Sequence, residues 1–407
     1  MLSLRDPVHG FIRADALESA LINSRAMQRL RHIHQLGLTS LVYPGAEHSR
    51  FSHALGAMHL AGRVYDALAS KTITNLLPRG ERTRERRLAR VVALVHDLGH
   101  APFSHSAEEL FEGGIDHEEM TRRLLATAEI AEIFAQHGDD ADPREGGLEP
   151  EEIIRLLSRD FRTPVERLIG EIVSGELDVD KMDYLLRDSL FCGVRYGSYD
   201  LERLLDTIRP IADPETGAWG IGVEEGGVHA LEALVMARYY MFTQVYFNAT
   251  GKALELHLNA WLEAEGVRWS SEPERFLAED DLTVTTAMRA SSAPHARAVV
   301  EREHFPVAFE TREHLTREEK ARFGALLPEL AEHFGVGNLL VSNSSKDSHR
   351  LGESPVWVER TDGRLERMAV ASQFIRHLGR IDRYRVYAAA PLRDAVRAEI
   401  VDRFGQG

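Results

Sequence analysis

Residues 1 to about 270 repeat apolar positions with the 3.6-residue period of helices, broken at Gly and Pro turns such as YPGAEH, HAPFSH and the acidic GDDADPREGGLEPEE, which reads as a solvated loop. In RRLARVVALVHDL the apolar positions Leu88, Val91, Val92 and Val95, with Ala93 and Leu94 between them, mark a helix buried on most sides; its last turn carries His96 and Asp97 inward. A short hairpin is expected at GAWGIGVEEGG, and VHALEALVMARYYMFTQVYFNATGKALELHLNAWL reads as one or two long helices. Beyond about residue 270 the pattern changes. NLLVS, PVWVE and YRVYAAA look like strands, TREEKARFGALLPELAEHF opens with Thr316 and Glu319 at capping-box spacing, and LRDAVRAEIVDRF is amphipathic. The expected architecture is mainly α, an all-helical core over residues 1–270 followed by a smaller α+β lobe over residues 271–407.

Composition narrows the function. A chain of 407 residues buries a large core without disulfides or structural zinc, and its single cysteine, Cys192, excludes an internal disulfide and reads as a small core residue. The start MLSLRDPVHG has no basic stretch followed by an apolar one, and no apolar run approaches the roughly 20 residues that span a bilayer, so the expected location is cytoplasmic with no membrane partner. A formal net charge of -15 argues against a nucleic-acid polymer as partner, which calls for clustered cations. It leaves room for a small anion in a cleft lined locally by Arg, Lys and metal.

Three strings carry the candidate chemistry. In ALVHDLGHAPFSHSAEEL, His96 and Asp97 end a helix and His100 follows one turn later. In HSRFSHALGAMHLAG, His53 opens a helix of small residues one turn after Arg50, while His48 and His59 read as hydrogen-bonded core histidines. In ELDVDKMDYLLRDSL, Asp180, Tyr184 and Asp188 share one face at i, i+4 and i+8 with Lys181 alongside; Asp178, Asp183 and Arg187 read as a surface salt-bridge ladder. Two imidazoles and two carboxylates from three helices, His53, His96, Asp97 and Asp180, make a ligand set for a divalent metal with positions open for water and a phosphate oxygen. Fe, Mn, Zn and Mg all suit it, with a second Mg as companion on the phosphates.

The order H...HD...D, within DPVHGFI, QRLRHIHQLG, YPGAEHSRFSHALG, HDLGHAPFSH and DVDKMDYLLRD, resembles the HD-domain deoxynucleoside triphosphate triphosphohydrolases, in the branch of the vertebrate sterile-alpha-motif and HD-domain enzyme and its bacterial relatives. The similarity is dense from residue 4 to about residue 250 and thinner after that. DPVHG stands so near the start that no counterpart of the sterile-alpha-motif domain is expected. The resemblance implies an HD-domain core, with the C-terminal lobe in oligomerisation or regulation, and a metal on His53, His96, Asp97 and Asp180. It implies hydrolysis of a dNTP at its α-phosphorus to deoxynucleoside and intact triphosphate.

Residue by residue, the resemblance makes His105 the general acid for the leaving 5′-oxygen, with Glu108 orienting it, and places His100 and His117 in the active site. For His117 the alternative is a helix-start residue behind Asp116 as N-cap. Arg50, Lys181, Tyr184 and Arg238 match phosphate-contacting positions. Gln35, Leu36, Asp188 and Tyr246 match sugar-contacting ones, with Asp188 accepting from the 3′-hydroxyl and Tyr246 occupying the space of a 2′-hydroxyl. Phe247 stands where the vertebrate enzyme leads one to expect a polar residue. The branch forms homotetramers assembled by an activating nucleotide. Of the guanine-reading positions this chain keeps Gln28 and Arg31 but has Asn23 for the acid, replacing an acceptor by a donor; Asp200 and Arg203 match further regulatory positions. Either the activator differs or none is needed. Two other readings compete: an HD phosphohydrolase acting on an alarmone, cyclic dinucleotide or monophosphate, against which HDLGH in place of HDxxED weighs, and a nucleotide-sensing assembly with vestigial hydrolysis.

Overall fold

The computed structural model describes residues 2–71, 76–80, 83–138, 146–346 and 356–405; the side chains of His105, Ser106, Glu108 and Lys346 also lie outside the described residues, as do residues 139–145 of GDDADPREGGLEPEE. The fold is mainly α, as the periodicity predicts, and three helices frame its centre. Arg50–Ser70, 21 residues long and mostly buried, packs against Arg84–Val95 and Val179–Phe191. Small residues set how close they come. A Cβ at Gly56 would lie 1.9 Å from Asp183 Oδ1 and 2.4 Å from Arg187 Nη2, so this position admits only hydrogen without displacing two buried charged groups. Asp178 caps Val179–Phe191 by accepting from Lys181 N, and Arg84–Val95 ends directly in His96 as its C-cap.

Of the one or two long helices expected at the end of the core, two are present. Val228–Met241 widens into a π-helical turn over Phe242–Tyr246, and Asn248 then caps Ala249–Ala264 through the amides of Thr250 and Gly251. Such a turn inserts an extra residue per repeat and re-aims what it carries. Here it carries Phe242, Tyr246 and the following Phe247 toward one cavity.

Small sheets flank the helices. Leu2–Asp6 and Gly10–Ala14 form an N-terminal hairpin, with Ile12 and Ala14 turned into the main core. The second hairpin pairs Ile208–Ala212 with Trp219–Glu224, so the expected GAWGIGVEEGG hairpin supplies only its second strand and the first lies before that string; Trp357–Glu359 adds to it in parallel and Leu365–Arg367 closes the edge. The third sheet has Ile381–Ala388 between Val307–Glu310 and Leu339–Lys346, both antiparallel. Arg317–Phe334, opened by the Thr316–Glu319 capping box, and Arg393–Phe404 pack on it around a second core of Phe309, Phe323, Leu330, Val386, Val396 and Ile400. The main core runs from Ile12 to Ile375 and includes Val284, Met288, Ala296 and Val299. Among the described residues no helix is long and apolar enough to cross a membrane.

Candidate metal centre and substrate cavity

His53 from the first framing helix, His96 from the end of the second and Asp180 from the start of the third meet with their donor atoms all within 4.8 Å of one another. Each imidazole is held by its other nitrogen. His96 Nδ1 lies 2.8 Å from Ala93 O, a carbonyl that only accepts, so Nδ1 carries the proton and Nε2 keeps its lone pair. His53 Nδ1 lies 2.8 Å from Asp183 Oδ2, with the same consequence. Both Nε2 atoms are buried and have no hydrogen-bond partner among the described residues, although Asp180 Oδ1 stands 3.0 Å and 3.8 Å from them. Burial pulls both imidazoles toward the neutral form; Asp180 with Asp183 at His53, and Asp97 with Asp180 at His96, outweigh it and raise both, so the carboxylates draw positive charge to each Nε2, a proton or, in its place, a divalent cation. Two convergent lone pairs, a carboxylate and a surplus of negative charge fit a divalent cation.

Asp97 borders this centre. Its Oδ1 is 3.2 Å from His96 Nε2 and 3.3 Å from His100 Nε2, while Arg50 Nη1 holds Oδ2 at 2.5 Å. It is outside the trio whose donors all converge within 4.8 Å.

The largest departure from the sequence reading is behind His53. Asp183 and Arg187, read as a surface ladder, are both fully buried. Asp183 Oδ2 accepts from Arg187 Nε at 2.8 Å and faces His53; Oδ1 accepts from Arg187 Nη2 at 2.9 Å and lies 2.7 Å from His9 Nε2. Arg187 Nη1 donates to Asp6 at 2.8 Å. This carboxylate fixes the ring that points at the metal position. The DPVHG string therefore supplies Asp6 and His9 as supports, a role that only contacts across more than 170 residues reveal.

Beside the centre lies a cavity of about 750 Å³, within the range of small-molecule sites. All eight expected substrate residues line it: Arg50, Lys181, Tyr184 and Arg238, and Gln35, Leu36, Asp188 and Tyr246, with Asp180 in the same wall. Burial opposes the charge on Lys181, but Asp178, Tyr184 and Asp180 outweigh it and raise its pKa above the ordinary value, keeping it cationic. Asp188 is fixed on both oxygens, by His48 Nε2 at 2.7 Å and by the Tyr246 hydroxyl donating at 2.7 Å. His48 is thus a core histidine that orients a cavity residue. Gln35 Oε1 is buried without a hydrogen-bond partner among the described residues, an acceptor placed for a bound molecule. Sequence spacing missed Arg159, Lys252, Ser345 and Arg380, which also line the cavity.

The remaining expected residues are placed as follows. His100, 3 % exposed, stacks on His117 at 4.2 Å between ring centres, and burial with nearby Arg50 keeps it well below the ordinary histidine range. His117 begins its helix behind Asp116, whose side chain accepts from Glu119 N, the arrangement of the helix-start reading. The side chains of His105 and Glu108 lie outside the described residues. Asn23, Arg31, Asp200 and Arg203 are exposed and Gln28 half-buried, none of them lining the cavity. Asn23 bonds Ser19 O, Gln28 bonds Ile22 O and Arg31, and Asp200 caps its helix through Arg203 N.

His34, just before Gln35, is raised by its bond to Asp281, against the pull of burial and with help from Glu47. A raised histidine stabilises the fold fully below its unfolded value, about 6.5, and the contribution is lost as pH rises through the raised value. The urea midpoint of the parent should therefore exceed that of His34→Gln most at pH 6 and by a shrinking margin toward pH 9; a pH-independent gap would contradict this.

Comparison with known proteins agrees with this geometry. The HD domain family matches residues 50–188 and the HD-associated region matches residues 200–405. The uncharacterized protein YwfO of Bacillus subtilis is 35 % identical over 280 residues, covering 67 % of this chain and 59 % of that protein. The deoxynucleoside triphosphate triphosphohydrolase SAMHD1 homolog of Dictyostelium discoideum is 34 % identical over 273 residues, 64 % of this chain and 49 % of its own. The chain thus spans about half to three-fifths of these curated relatives. The crystal structure of a hypothetical protein from Aquifex aeolicus superposes with a TM-score of 0.80 at 29 % identity, covering 98 % of this chain and 99 % of that one. With the HD match over the three framing helices and the HD-associated match over the rest, the chain belongs to the HD-domain phosphohydrolase family.

Proposed function

We propose that the protein hydrolyses deoxynucleoside triphosphates to deoxynucleoside and inorganic triphosphate. The observation that carries this reading is the single cavity in which four phosphate-type donors and four sugar-type contacts meet beside His53, His96 and Asp180. When bound there, a divalent ion supplies water activation and offsets charge on the phosphoryl oxygens. Lys181, Arg238, Arg50 and the Tyr184 hydroxyl bind and orient the triphosphate. Asp188, held by His48 and Tyr246, accepts from the 3′-hydroxyl. His105, oriented by Glu108, protonates the leaving 5′-oxygen, a role carried over from the sequence.

The Tyr246 ring fills the space of a 2′-hydroxyl in this reading. Tyr246→Ala should therefore lower the kcat/KM preference for dATP over ATP by about tenfold or more, whereas Tyr246→Phe, which keeps the ring, preserves most of it. An unchanged ratio in Tyr246→Ala would remove Tyr246 from sugar selection. A wider panel of dNTPs, NTPs, an alarmone and cyclic dinucleotides tests the substrate class; faster turnover of the last two would reverse the assignment. Assembly into a homotetramer and control by an activating nucleotide through Asn23, Gln28, Arg31, Asp200 and Arg203 belong to the same proposal. Exposure of most of these side chains within one chain supports a site completed by another copy.

A further inference from the structure

Two adjoining loops form part of the cavity wall: Gln35, Leu36 and Gly37 on one, Phe103 and Ser104 on the other, with Ser104 Oγ 3.4 Å from His34 O. Both adopt unusual backbone. Phe103 and Ser104 are consecutive non-glycine residues in the left-handed region, at φ 56° and 59°, and Gly37 is at φ 49° with the Phe103 carbonyl where its Cβ would be crowded at 3.3 Å. Conformations of this kind persist only where surroundings hold them.

One side chain holds both. Asp281, 3 % exposed, accepts from Phe103 N through Oδ1 at 2.7 Å. Through Oδ2 it accepts from His34 N at 2.8 Å and bonds His34 Nδ1 at 2.7 Å. The adjoining chain is tied to the same loop a second time: Arg29 donates from Nε to Glu279 O at 2.7 Å and from Nη1 to His100 O at 2.9 Å. The loop so fixed orients Arg50, whose Nε donates to Ser104 Oγ at 2.8 Å. Asp281 lies outside residues 50–188 and within the HD-associated match.

We propose that Asp281 is a positioning residue of the active site, clamping the His34–Gly37 and Phe103–Ser104 walls at a fixed separation so that substrate meets a preformed cavity. The HD-associated region is in this way part of the catalytic apparatus. The inference rests on the reading of this cavity as the substrate site. Its chemistry is specific to a carboxylate: Asn offers one acceptor and one donor, so at one of the two walls it presents N–H to N–H.

The test compares Asp281→Asn and Asp281→Ala with the parent in the full chain, by hydrogen exchange, metal content and dATP kinetics. In Asp281→Ala, peptides covering residues 34–37 and 101–104 should both exchange about tenfold faster, the scale of one lost bond to a charged acceptor, and in Asp281→Asn the wall facing the amide N–H₂ should do so, while peptides bearing His53 and Asp180 stay protected. Metal content should hold, and kcat/KM should fall by about 10- to 100-fold, mostly through KM, as expected when a positioned wall shifts. A structural role alone would reduce the folded fraction and leave KM unchanged. Should Asp281→Ala not fold, Asp281→Asn gives the readout at the wall facing its N–H₂, and His34→Ala, which removes one of the three bonds, gives it at residues 34–37. Loss of protection at one wall only in Asp281→Ala, no loss at the stated wall in the other two variants, or loss spread evenly over the chain, overturns the clamp. If the parent turns over no dNTP, the substrate reading fails, and the exchange pattern alone decides on Asp281.

Discussion

Replacing Asp183 with Asn is expected to lower the free energy of unfolding by about 3–5 kcal/mol, because it removes one of the two carboxylates, Asp183 and Asp6, that pair with the buried Arg187 guanidinium. Arg187 is fully buried and makes two of its bonds to Asp183, and the same carboxylate faces His53 and His9. An amide cannot accept from all four; its N–H₂ faces donors at one oxygen position or the other. Metal affinity should fall as well, by about 10- to 100-fold, since His53 loses the group that fixes its ring and tautomer. Urea unfolding and metal analysis of the same preparation measure both. A stability loss under about 1 kcal/mol would mean that the network is not the buried ion system described.

Asp180, three residues earlier on the same helix, should behave in the opposite way. Its side chain is about a third exposed at 35 %, contributes an oxygen to the metal trio, and faces the imidazoles of His53 and His96, which unlike a guanidinium can shed a proton when it is removed. Asp180→Ala should bring bound metal to background and lower hydrolysis by about a thousandfold or more, the kinetic equivalent of several kcal/mol of lost charge stabilisation. The stability of the metal-free protein should move by no more than about 1 kcal/mol. Retention of stoichiometric metal with full activity in Asp180→Ala would remove it from the centre. The two variants together separate the reactive face of the Val179–Phe191 helix from its supporting face.

That separation marks what local sequence carries. The i, i+4, i+8 stripe of Asp180, Tyr184 and Asp188 faces the cavity because helical periodicity places it there, and the Thr316–Glu319 capping box and the three expected C-terminal strands are equally local signals. Asp183 and Arg187 also sit four apart, a spacing shared by exposed ion pairs and buried ones; only the gap at Gly56 and the contacts with Asp6 and His9 distinguish them. The N-terminal hairpin has five-residue strands, too short for alternation to stand out beside the helical pattern. The π-helical turn leaves no mark in a helix-period sequence, and Asp281 reads as an ordinary acidic residue in the first turn of a helix. Such roles arise from tertiary contacts alone.

The proposed reaction breaks the bond between the α-phosphorus and the 5′-oxygen. Hydrolysis of a dNTP by the metal-loaded protein in ¹⁸O-water, followed by ³¹P NMR and mass spectrometry, reads it directly. Deoxynucleoside and intact triphosphate are expected, with the label in the triphosphate. Deoxynucleoside monophosphate with pyrophosphate, or label in the deoxynucleoside, would contradict it.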